Sequence, residues 1–394
     1  MSDGSSDRGL AGTPGLTSVL RRWALLSVVA SLLGLDAQAW AVGPALVEVD
    51  RMALPGPLAR SQDVRFDGSS ALVLAVGGFG AARVSYRAGK LGPPHKLVPE
   101  GGSDGVVLAS HISASPNFLV VSSSMSQLLW QSRKKPVVAG QLGTWGDPDH
   151  APISFFEDID LRGDQLAILG LMRSDTTMSP NGAIAWVGTL GKVGPGGVAL
   201  RPIAFSSAGK GAAPSANCSI SAVGKVRFLS DGRLLVIPGA EPGILFYSAD
   251  GRLQSTMNTR QMGLDLTCDF DMATRLLFAS DVLARLAYLN RFTTVDEVLP
   301  LASGPALILR TAGKGRTTWK MIILGADRAN EGFPLPIDST SVNDHLRGDV
   351  LGDRLVLIRN EWMREGPPNA ELMEYRVRPN AALPKSPSPK NRWH

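Results

Sequence analysis

Residues 225–237 read Lys225-Val-Arg-Phe-Leu-Ser-Asp-Gly-Arg233 followed by Leu234-Leu-Val-Ile237. A short alternating run is followed by an Asp-Gly turn and then by a strongly apolar strand. Asp-Gly favours the positive φ angles that tight hairpins require. Farther along, Ile244-Leu-Phe-Tyr247 leads into a second Asp-Gly-Arg turn, Ser248–Arg252. The segment therefore predicts consecutive antiparallel strands joined by short turns.

The same order of alternating run, turn and apolar strand recurs along the chain. Further copies begin at Asp63, Ser110, Glu157, Cys268 and Arg347. A weaker copy comprises Ala306–Arg310, a Gly-Lys-Gly-Arg turn and Trp319–Leu324. Most copies are spaced about 40 to 50 residues apart, a period typical of the four-stranded blades of a β-propeller. The sequence predicts an all-β propeller of about seven blades, with six or eight as the alternatives.

The longest step between two copies separates the turns near residues 163 and 232. It contains Gly191–Gly197 and Ser206–Asn217, two stretches rich in glycine or small polar residues, which predict long surface loops. The competing fold is a pair of β-sandwich domains. A pair of domains requires a linker, and no segment of linker composition divides the chain.

The copy at residues 225–252, with its two Asp-Gly-Arg turns, resembles the blades of the broad NHL and quinoprotein-like propeller group. The resemblance covers this blade well and the others loosely. It implies the fold alone, because that group includes both binding proteins and enzymes.

The two ends of the repeat region are predicted to pair. The first strand candidate is Ala45–Asp50, whereas the last repeat, from about Asp349 to Val377, is one strand short. An N-terminal strand that completed this repeat would remove unpaired edges and close the ring. The propeller domain is accordingly predicted to span residues 42–378.

Residues 1–41 have the features of a signal peptide. A polar start leads to Arg21-Arg22, the apolar stretch Trp23–Leu33 and two cleavage candidates, after Ala39 or after Ala41. The arginine pair fits either the twin-arginine or the Sec export route. The apolar stretch is short against the roughly 20 residues that span a bilayer, so no membrane span is expected after cleavage. The protein is expected to be periplasmic or secreted.

The formal net charge of +5 resides at the C-terminus. Residues 376–394 hold five basic side chains and no acidic one, which leaves the rest of the chain neutral. A nucleic-acid-binding domain would carry a basic face on the fold itself, so the charge gives no support to nucleic-acid binding. Residues 379–394, rich in proline and lysine, predict a flexible basic tail.

Polar residues alternate within the first strand of several copies. Asp158 and Asp160 form one carboxylate pair, and Asp269 and Asp271 form another. Residues two apart lie on one face of a strand, so each pair would face the central channel if these strands are innermost. His111 occupies a comparable position. Clustered carboxylates suit Ca²⁺, but aspartates in such places also cap turns, and a histidine there can be a base or a satisfied core residue.

Asp63, Arg65 and Arg227 occupy similar positions, which predicts a channel of mixed charge. The sequence contains no Gly-x-Ser-x-Gly, His-Glu-x-x-His or phosphate-binding Gly-x-x-x-x-Gly-Lys-Ser/Thr motif. The leading hypothesis is a non-enzymatic binding module for a protein, peptide or glycan ligand. The alternative is a metal-dependent hydrolase of the lactonase or esterase type, whose cation would polarise a carbonyl in the channel.

Cys218 and Cys268 are the two cysteines of the chain. Export would place them in a compartment where disulfides persist, and an even number of cysteines favours pairing. We therefore predict a Cys218–Cys268 disulfide, with two separately buried thiols as the alternative.

Overall fold

A computed structural model of the protein describes residues 45–378, except for residues 69, 88, 100–107, 124–126, 134–137, 140–152, 174–183, 195–196, 206–223, 239–242, 260–292, 314, 325–331, 342–343 and 362–368. The described residues form six antiparallel sheets and one 3₁₀ helix, Gly56–Arg60. No helix in this part of the chain is long and apolar enough to cross a membrane. The predicted signal peptide, residues 1–41, and the predicted tail, residues 379–394, lie outside the described residues.

The first three sheets, called blades 1 to 3, follow one another along the chain. Blade 1 comprises β2 (Ser61–Phe66), β3 (Ala71–Val76), β4 (Gly80–Arg87), β5 (Lys90–Leu91) and β6 (His95–Pro99). Blade 2 comprises β7 (Ala109–Ala114), β8 (Phe118–Ser123), β9 (Leu128–Ser132) and β10 (Val138–Ala139). Blade 3 comprises β11 (Ile153–Arg162), β12 (Gln165–Arg173), β13 (Ile184–Gly194) and β14 (Gly197–Phe205).

Blades 4 to 6 repeat the arrangement, and the last one includes the N-terminal strand β1. Blade 4 comprises β15 (Lys225–Phe228), β16 (Leu234–Ile237), β17 (Ile244–Tyr247) and β18 (Leu253–Met257). Blade 5 comprises β19 (Thr293–Leu301), β20 (Gly304–Gly313), β21 (Arg316–Ile323) and β22 (Gly332–Ser339). Blade 6 comprises β23 (Asp344–Leu351), β24 (Arg354–Glu361), β25 (Glu371–Arg378) and β1 (Ala45–Ala53).

The first strands of the six blades, β2, β7, β11, β15, β19 and β23, are the inner strands of a ring. Each contacts the inner strand of the next blade, and β23 contacts β2. Apolar side chains fill the spaces between the blades, with one buried cluster at each of the six junctions. This radial arrangement of sheets is a β-propeller.

The ring of described residues holds six blades, so the predicted number of about seven is not confirmed. The weak copy at Ala306–Leu324 corresponds to the second and third strands of blade 5, whose inner strand β19 is not marked by the repeat pattern. Blade 5 packs directly on blade 4 through Leu235, Val298 and their neighbours. The copy at Cys268 lies outside the described residues.

One of the two expected surface loops is instead part of a sheet. Gly191–Gly194 belong to β13, which pairs with β14. A Cβ atom at Gly191 would overlap backbone atoms of Ala199 and Leu200, so the glycine allows a close approach of two strands. Glycine at this position therefore reflects the close packing of two strands and not a loop. Ser206–Asn217 lie outside the described residues.

The predicted pairing of the two ends of the domain is present. Strand β1 pairs antiparallel with β25, with Leu46 opposite Val377 and Met52 opposite Leu372, and an irregularity lies between Glu48 and Asp50. The N-terminal strand is thus the outermost strand of blade 6. The chain that follows it packs on blade 1, where Leu54 and Leu58 join the apolar cluster between blades 6 and 1.

Candidate functional site

The inner strands carry polar side chains that are buried where the six blades meet. Most occur in pairs two residues apart, and such pairs lie on the same face of a strand. The pairs are Asp63 and Arg65, His111 and Ser113, Asp158 and Asp160, Lys225 and Arg227, and the half-buried Arg347 and Asp349. Blade 5 departs from this spacing, because an irregularity in β19 brings Asp296 and Glu297 in together.

Side chains of each inner strand bond the backbone of the next inner strand. In five of the six junctions an oxygen atom of a side chain accepts a backbone N–H from the following blade. These bonds run from Ile112 to Asp63 (3.0 Å), Leu161 to Ser113 (2.9 Å), Phe228 to Asp160 (2.7 Å), Gly348 to Glu297 (3.0 Å) and Phe66 to Asp349 (3.0 Å). Between blades 4 and 5 the side chain is the donor, since Arg227 Nε donates to the carbonyl oxygen of Val298 at 3.0 Å.

Asp158 and Asp160 lie together in the channel, as their spacing predicts. Asp160 accepts hydrogen bonds from the N–H of Phe228, from Ser113 Oγ at 3.0 Å and from Arg227 Nη1 at 3.4 Å. Burial raises the pKa of Asp160, and the charges of Arg227 and Arg65 oppose that rise. The carboxylate oxygens of Asp160 are therefore used in joining blades 2, 3 and 4. Asp269 and Asp271 lie outside the described residues, as do Cys218 and Cys268.

Asp158 and His111 approach each other from neighbouring blades. Asp158 Oδ2 accepts the N–H of Val226 at 3.0 Å, while its Oδ1 lies 4.0 Å from His111 Nδ1. Both of these facing atoms are buried without a hydrogen-bond partner among the described residues. Burial, with the positive charges of Arg347 and Arg65, lowers the pKa of His111 to about 3. His111 is therefore neutral at physiological pH.

A buried ionic network centred on Glu297 links blades 1, 4, 5 and 6. Arg227 Nη2 donates to Glu297 Oε1 at 2.6 Å, and Arg65 Nη1 lies 3.5 Å from Glu297 Oε2. Arg65 Nη1 also donates to Asp63 at 2.7 Å and to the carbonyl oxygen of Gly348 at 3.0 Å. All three nitrogens of Arg227 are engaged. The network fixes the side chains at the centre of the ring.

Arg65 differs from Arg227 because one edge of its guanidinium is free. Its Nε and Nη2 atoms are buried and have no hydrogen-bond partner among the residues that the structure describes. A buried donor left without an acceptor costs about 1–3 kcal/mol, and a charged donor costs more. The structure therefore leaves this pair of charged donors without an acceptor, and among the described residues Lys225 Nζ is a further buried donor without a partner.

A polar cavity lies at the carboxyl ends of the inner strands. It has a volume of about 290 Å³, near the lower end of the usual range of ligand pockets, about 300–1,000 Å³. All six blades contribute to its lining, which includes Arg65, Ser113, Asp160, Arg227, Pro300 and Asp349. Arg162 and Ser230 also line it and are exposed, so they lie at its rim. The cavity is the candidate functional site.

The contacts of the channel carboxylates can be compared with the Ca²⁺ site that the sequence suggests. Among the described residues, no three His, Cys, Asp or Glu side chains are grouped so as to hold a metal ion. Most described channel carboxylates accept backbone N–H groups or pair with arginines instead. Their placement fits a structural role in joining the blades.

Arg65 and Arg227 are marked by the alternation of the inner strands, whereas Glu297 and Asp349 are not among the residues predicted from the sequence. Asp349 follows Arg347 by two residues, which is the spacing seen in the other inner strands, so that pattern could have revealed it. Glu297 gave no such signal, because the irregularity in β19 breaks the alternation.

No family model and no curated protein sequence matches this chain. Among solved structures, it is similar to a protein of unknown function from Dyadobacter fermentans, with a TM-score of 0.53 and 10% sequence identity over 85% of this chain and 100% of that one. A virginiamycin B lyase from Staphylococcus aureus gives a TM-score of 0.41 at 10% identity over 85% and 100% of the two chains. Hydrazine synthase from Kuenenia stuttgartiensis gives 0.42 at 12% identity over 78% of each. At such identities the first likeness shows the fold alone, and the chain is a β-propeller.

Proposed function

We propose that the protein is an exported propeller that binds a polar ligand group, carried by a protein, peptide or glycan, in the cavity at the carboxyl ends of its inner strands. The observation that carries this proposal is the convergence of all six blades on one polar cavity. A site assembled from every blade is held in place by the whole fold. Binding there requires little ordering of the protein, which favours affinity.

The chemistry of the lining supports a polar ligand. Arg65 and the rim residues Arg162 and Ser230 offer hydrogen-bond donors, while Asp349 offers an acceptor. Asp349 Oδ2 accepts the N–H of Phe66, and its other oxygen makes no hydrogen bond to another described residue. A ligand with both donors and acceptors would therefore find partners in the cavity.

The alternative function, a metal-dependent hydrolase, requires several carboxylates with oxygen atoms to spare. Asp160 uses both of its oxygens in bonds to Phe228, Ser113 and Arg227. Asp158 retains one oxygen, which faces the neutral His111. These contacts support a binding module over the hydrolase.

Export is part of the proposal and rests on the sequence of residues 1–41. We expect the leader to be removed after Ala39 or Ala41, leaving a protein without a membrane anchor. N-terminal sequencing of the protein recovered from the periplasm or medium tests this. An uncleaved chain in the membrane fraction would contradict it.

Peptide and glycan arrays, probed with the mature protein and with two tryptophan variants, test the binding function. Ser230→Trp places a large side chain at the rim of the cavity without touching the ionic network. Ser255→Trp makes the same change on the exposed outer strand β18 and is the matched control. We expect array ligands to bind the parent protein and Ser255→Trp, and to bind Ser230→Trp about tenfold more weakly or less.

Equal binding by both variants would place the binding surface elsewhere and contradict the proposal. The same protein is assayed for ester and lactone hydrolysis with Ca²⁺ and with a chelator. Calcium-dependent turnover would favour the hydrolase instead.

A further inference from the structure

We propose that the cavity recognises a carboxylate group of its ligand, and that the free edge of the Arg65 guanidinium is the receptor for that group. This inference rests on the proposed function of the cavity and names the chemical class of its ligand. It starts from the two donors, Nε and Nη2, that the fold leaves unused.

Contacts within the ring use the remaining donor atom of Arg65, Nη1. Nη1 donates to Asp63, to the carbonyl oxygens of Val64 and Gly348, and lies near Glu297. These contacts fix the plane of the guanidinium. Nε and Nη2 form the side edge of that plane, where two N–H groups point in parallel. Such an edge matches the two oxygens of a carboxylate, which it binds by two parallel hydrogen bonds.

Arg65 is also located where a ligand in the cavity could reach it. Its side chain is only 3% exposed, yet it belongs to the wall of the cavity. Arg227 lines the same cavity, but its nitrogens are engaged with Val298, Asp160 and Glu297. Because these donors are buried in the protein without ligand, the proposal requires a neighbouring side chain to move aside before a carboxylate can reach them.

The charges around the cavity favour a carboxylate over a more highly charged anion. Asp63 and Glu297 already lie against Arg65, and Glu297 pairs with Arg227, so these two arginines leave no surplus of positive charge in the lining. A phosphate monoester carries about −1.5 to −2 at neutral pH and would place an uncompensated charge beside Asp160 and Asp349. A carboxylate carries a single negative charge and is repelled less by these two aspartates.

The free oxygen of Asp349 adds a second requirement. It lines the same cavity as Arg65 and is available as an acceptor. A carboxylate with a hydrogen-bond donor on a nearby atom would satisfy both groups at once. The end of a peptide chain and a uronic acid both have this chemistry, and the experiment distinguishes these two sources.

Calorimetric titration of the mature protein is carried out with N-acetylglycine and with glucuronate, which represent these two sources. The neutral isosteres N-acetylglycinamide and glucuronamide are titrated in parallel. We expect one carboxylate probe to bind saturably, with a Kd on the order of 1 mM for so small a ligand, and its neutral isostere to bind about tenfold more weakly or less. The probe that binds identifies the source.

Arg65→Lys preserves the positive charge but removes the parallel donors, and we expect it to weaken binding of the carboxylate about tenfold or more. Arg252→Lys, the same change at an arginine that is 86% exposed on blade 4, is the matched control and should leave binding unchanged. If Arg65→Lys fails to fold, a crystal structure of the parent protein with the bound probe decides, since the carboxylate must contact Nε and Nη2 of Arg65.

Several outcomes overturn the inference. Unchanged affinity in Arg65→Lys, a probe seated away from Arg65, or equal binding of the acid and its neutral isostere would each do so. If neutral probes bind and Ser230→Trp blocks them, the cavity keeps its proposed function and only the carboxylate assignment falls. If no probe and no array ligand enters the cavity, both fall.

Discussion

Replacement of Arg227 by methionine should destabilise the whole ring. Arg227 is 2% exposed, and its closest charged partner, Glu297, is fully buried. Arg227→Met preserves most of the apolar length of the side chain but leaves Glu297 with N–H donors and the more distant Arg65. Removal of one partner from a buried ion pair costs about 3–5 kcal/mol. The carbonyl oxygen of Val298 also loses its donor, so we expect a loss of unfolding free energy near the upper end of that range.

A second substitution separates the charge effect from packing. Arg227→Met combined with Glu297→Gln removes both charges, so no uncompensated carboxylate remains. Since a buried ion pair can often be replaced by neutral groups at little cost, the double variant should be more stable than Arg227→Met alone. Arg252→Met is the surface control; its pair with Asp250 is exposed, and its loss should cost less than about 1 kcal/mol.

Urea unfolding at pH 7, followed by tryptophan fluorescence and circular dichroism, measures these differences. A loss below about 1 kcal/mol in Arg227→Met would refute the reasoning, because it would mean that the ion pair contributes no more than a surface pair. A double variant less stable than the single one would refute the assignment of the loss to the stranded charge on Glu297.

Three other predictions concern the ends, the channel and the cysteines. A mature chain that begins at Arg51 lacks most of β1, so its thermal midpoint by calorimetry should fall by several degrees; an unchanged midpoint would show that the strand does not fasten the ring. Burial raises the pKa of Glu157 to about 8 from its ordinary value of 4.5, so the folded protein holds a proton that the unfolded chain releases, and stability should decrease as the pH rises from about 4.5 to 8. In Glu157→Gln this decrease, at most about 1.4 kcal/mol per pH unit, should disappear from urea midpoints; an identical pH profile would count against it. The mature protein, denatured without reductant, should show no free thiol, because we expect Cys218 and Cys268 to form a disulfide; two titratable thiols would contradict this. The disulfide would close a loop of about 50 residues and add about 3–4.5 kcal/mol to the free energy of unfolding.

The fold could be predicted from the sequence where local turn chemistry marks the strands. Blade 4 has two Asp-Gly turns; its strands β16 and β17 begin and end at the predicted residues, and β15 begins at Lys225 as predicted. The pairing of β1 with β25 followed from counting strands in the last repeat. The number of blades did not follow, because the count of seven includes the copy at Cys268, which lies outside the described residues. Blade 5 is marked in the sequence only by its second and third strands, since its inner strand β19 contains Pro300 and an irregular register, and no Asp-Gly turn introduces it.

The candidate site could be predicted only in part. Alternation within the inner strands indicates that Asp158 and Asp160 share one face of β11, and the structure places these two residues and His111 on inner strands, buried between blades. Their hydrogen bonds depend on which residues of the neighbouring blade lie opposite, and that register is set by packing between sheets. The free edge of Arg65 likewise results from contacts with blade 6, which are distant in the sequence.

At one junction of the ring the side chain is the hydrogen-bond donor and not the acceptor, and this makes the blades non-interchangeable. At five junctions a side-chain oxygen meets an amide, but blade 4 presents a cation to a carbonyl of blade 5. A gene in which blade 4 was duplicated in tandem would set Arg227 of one copy against a blade lacking the Glu297 that neutralises it. Each blade therefore has a fixed place in the ring, and the chain could gain or lose a blade only together with the matching surface of its neighbour.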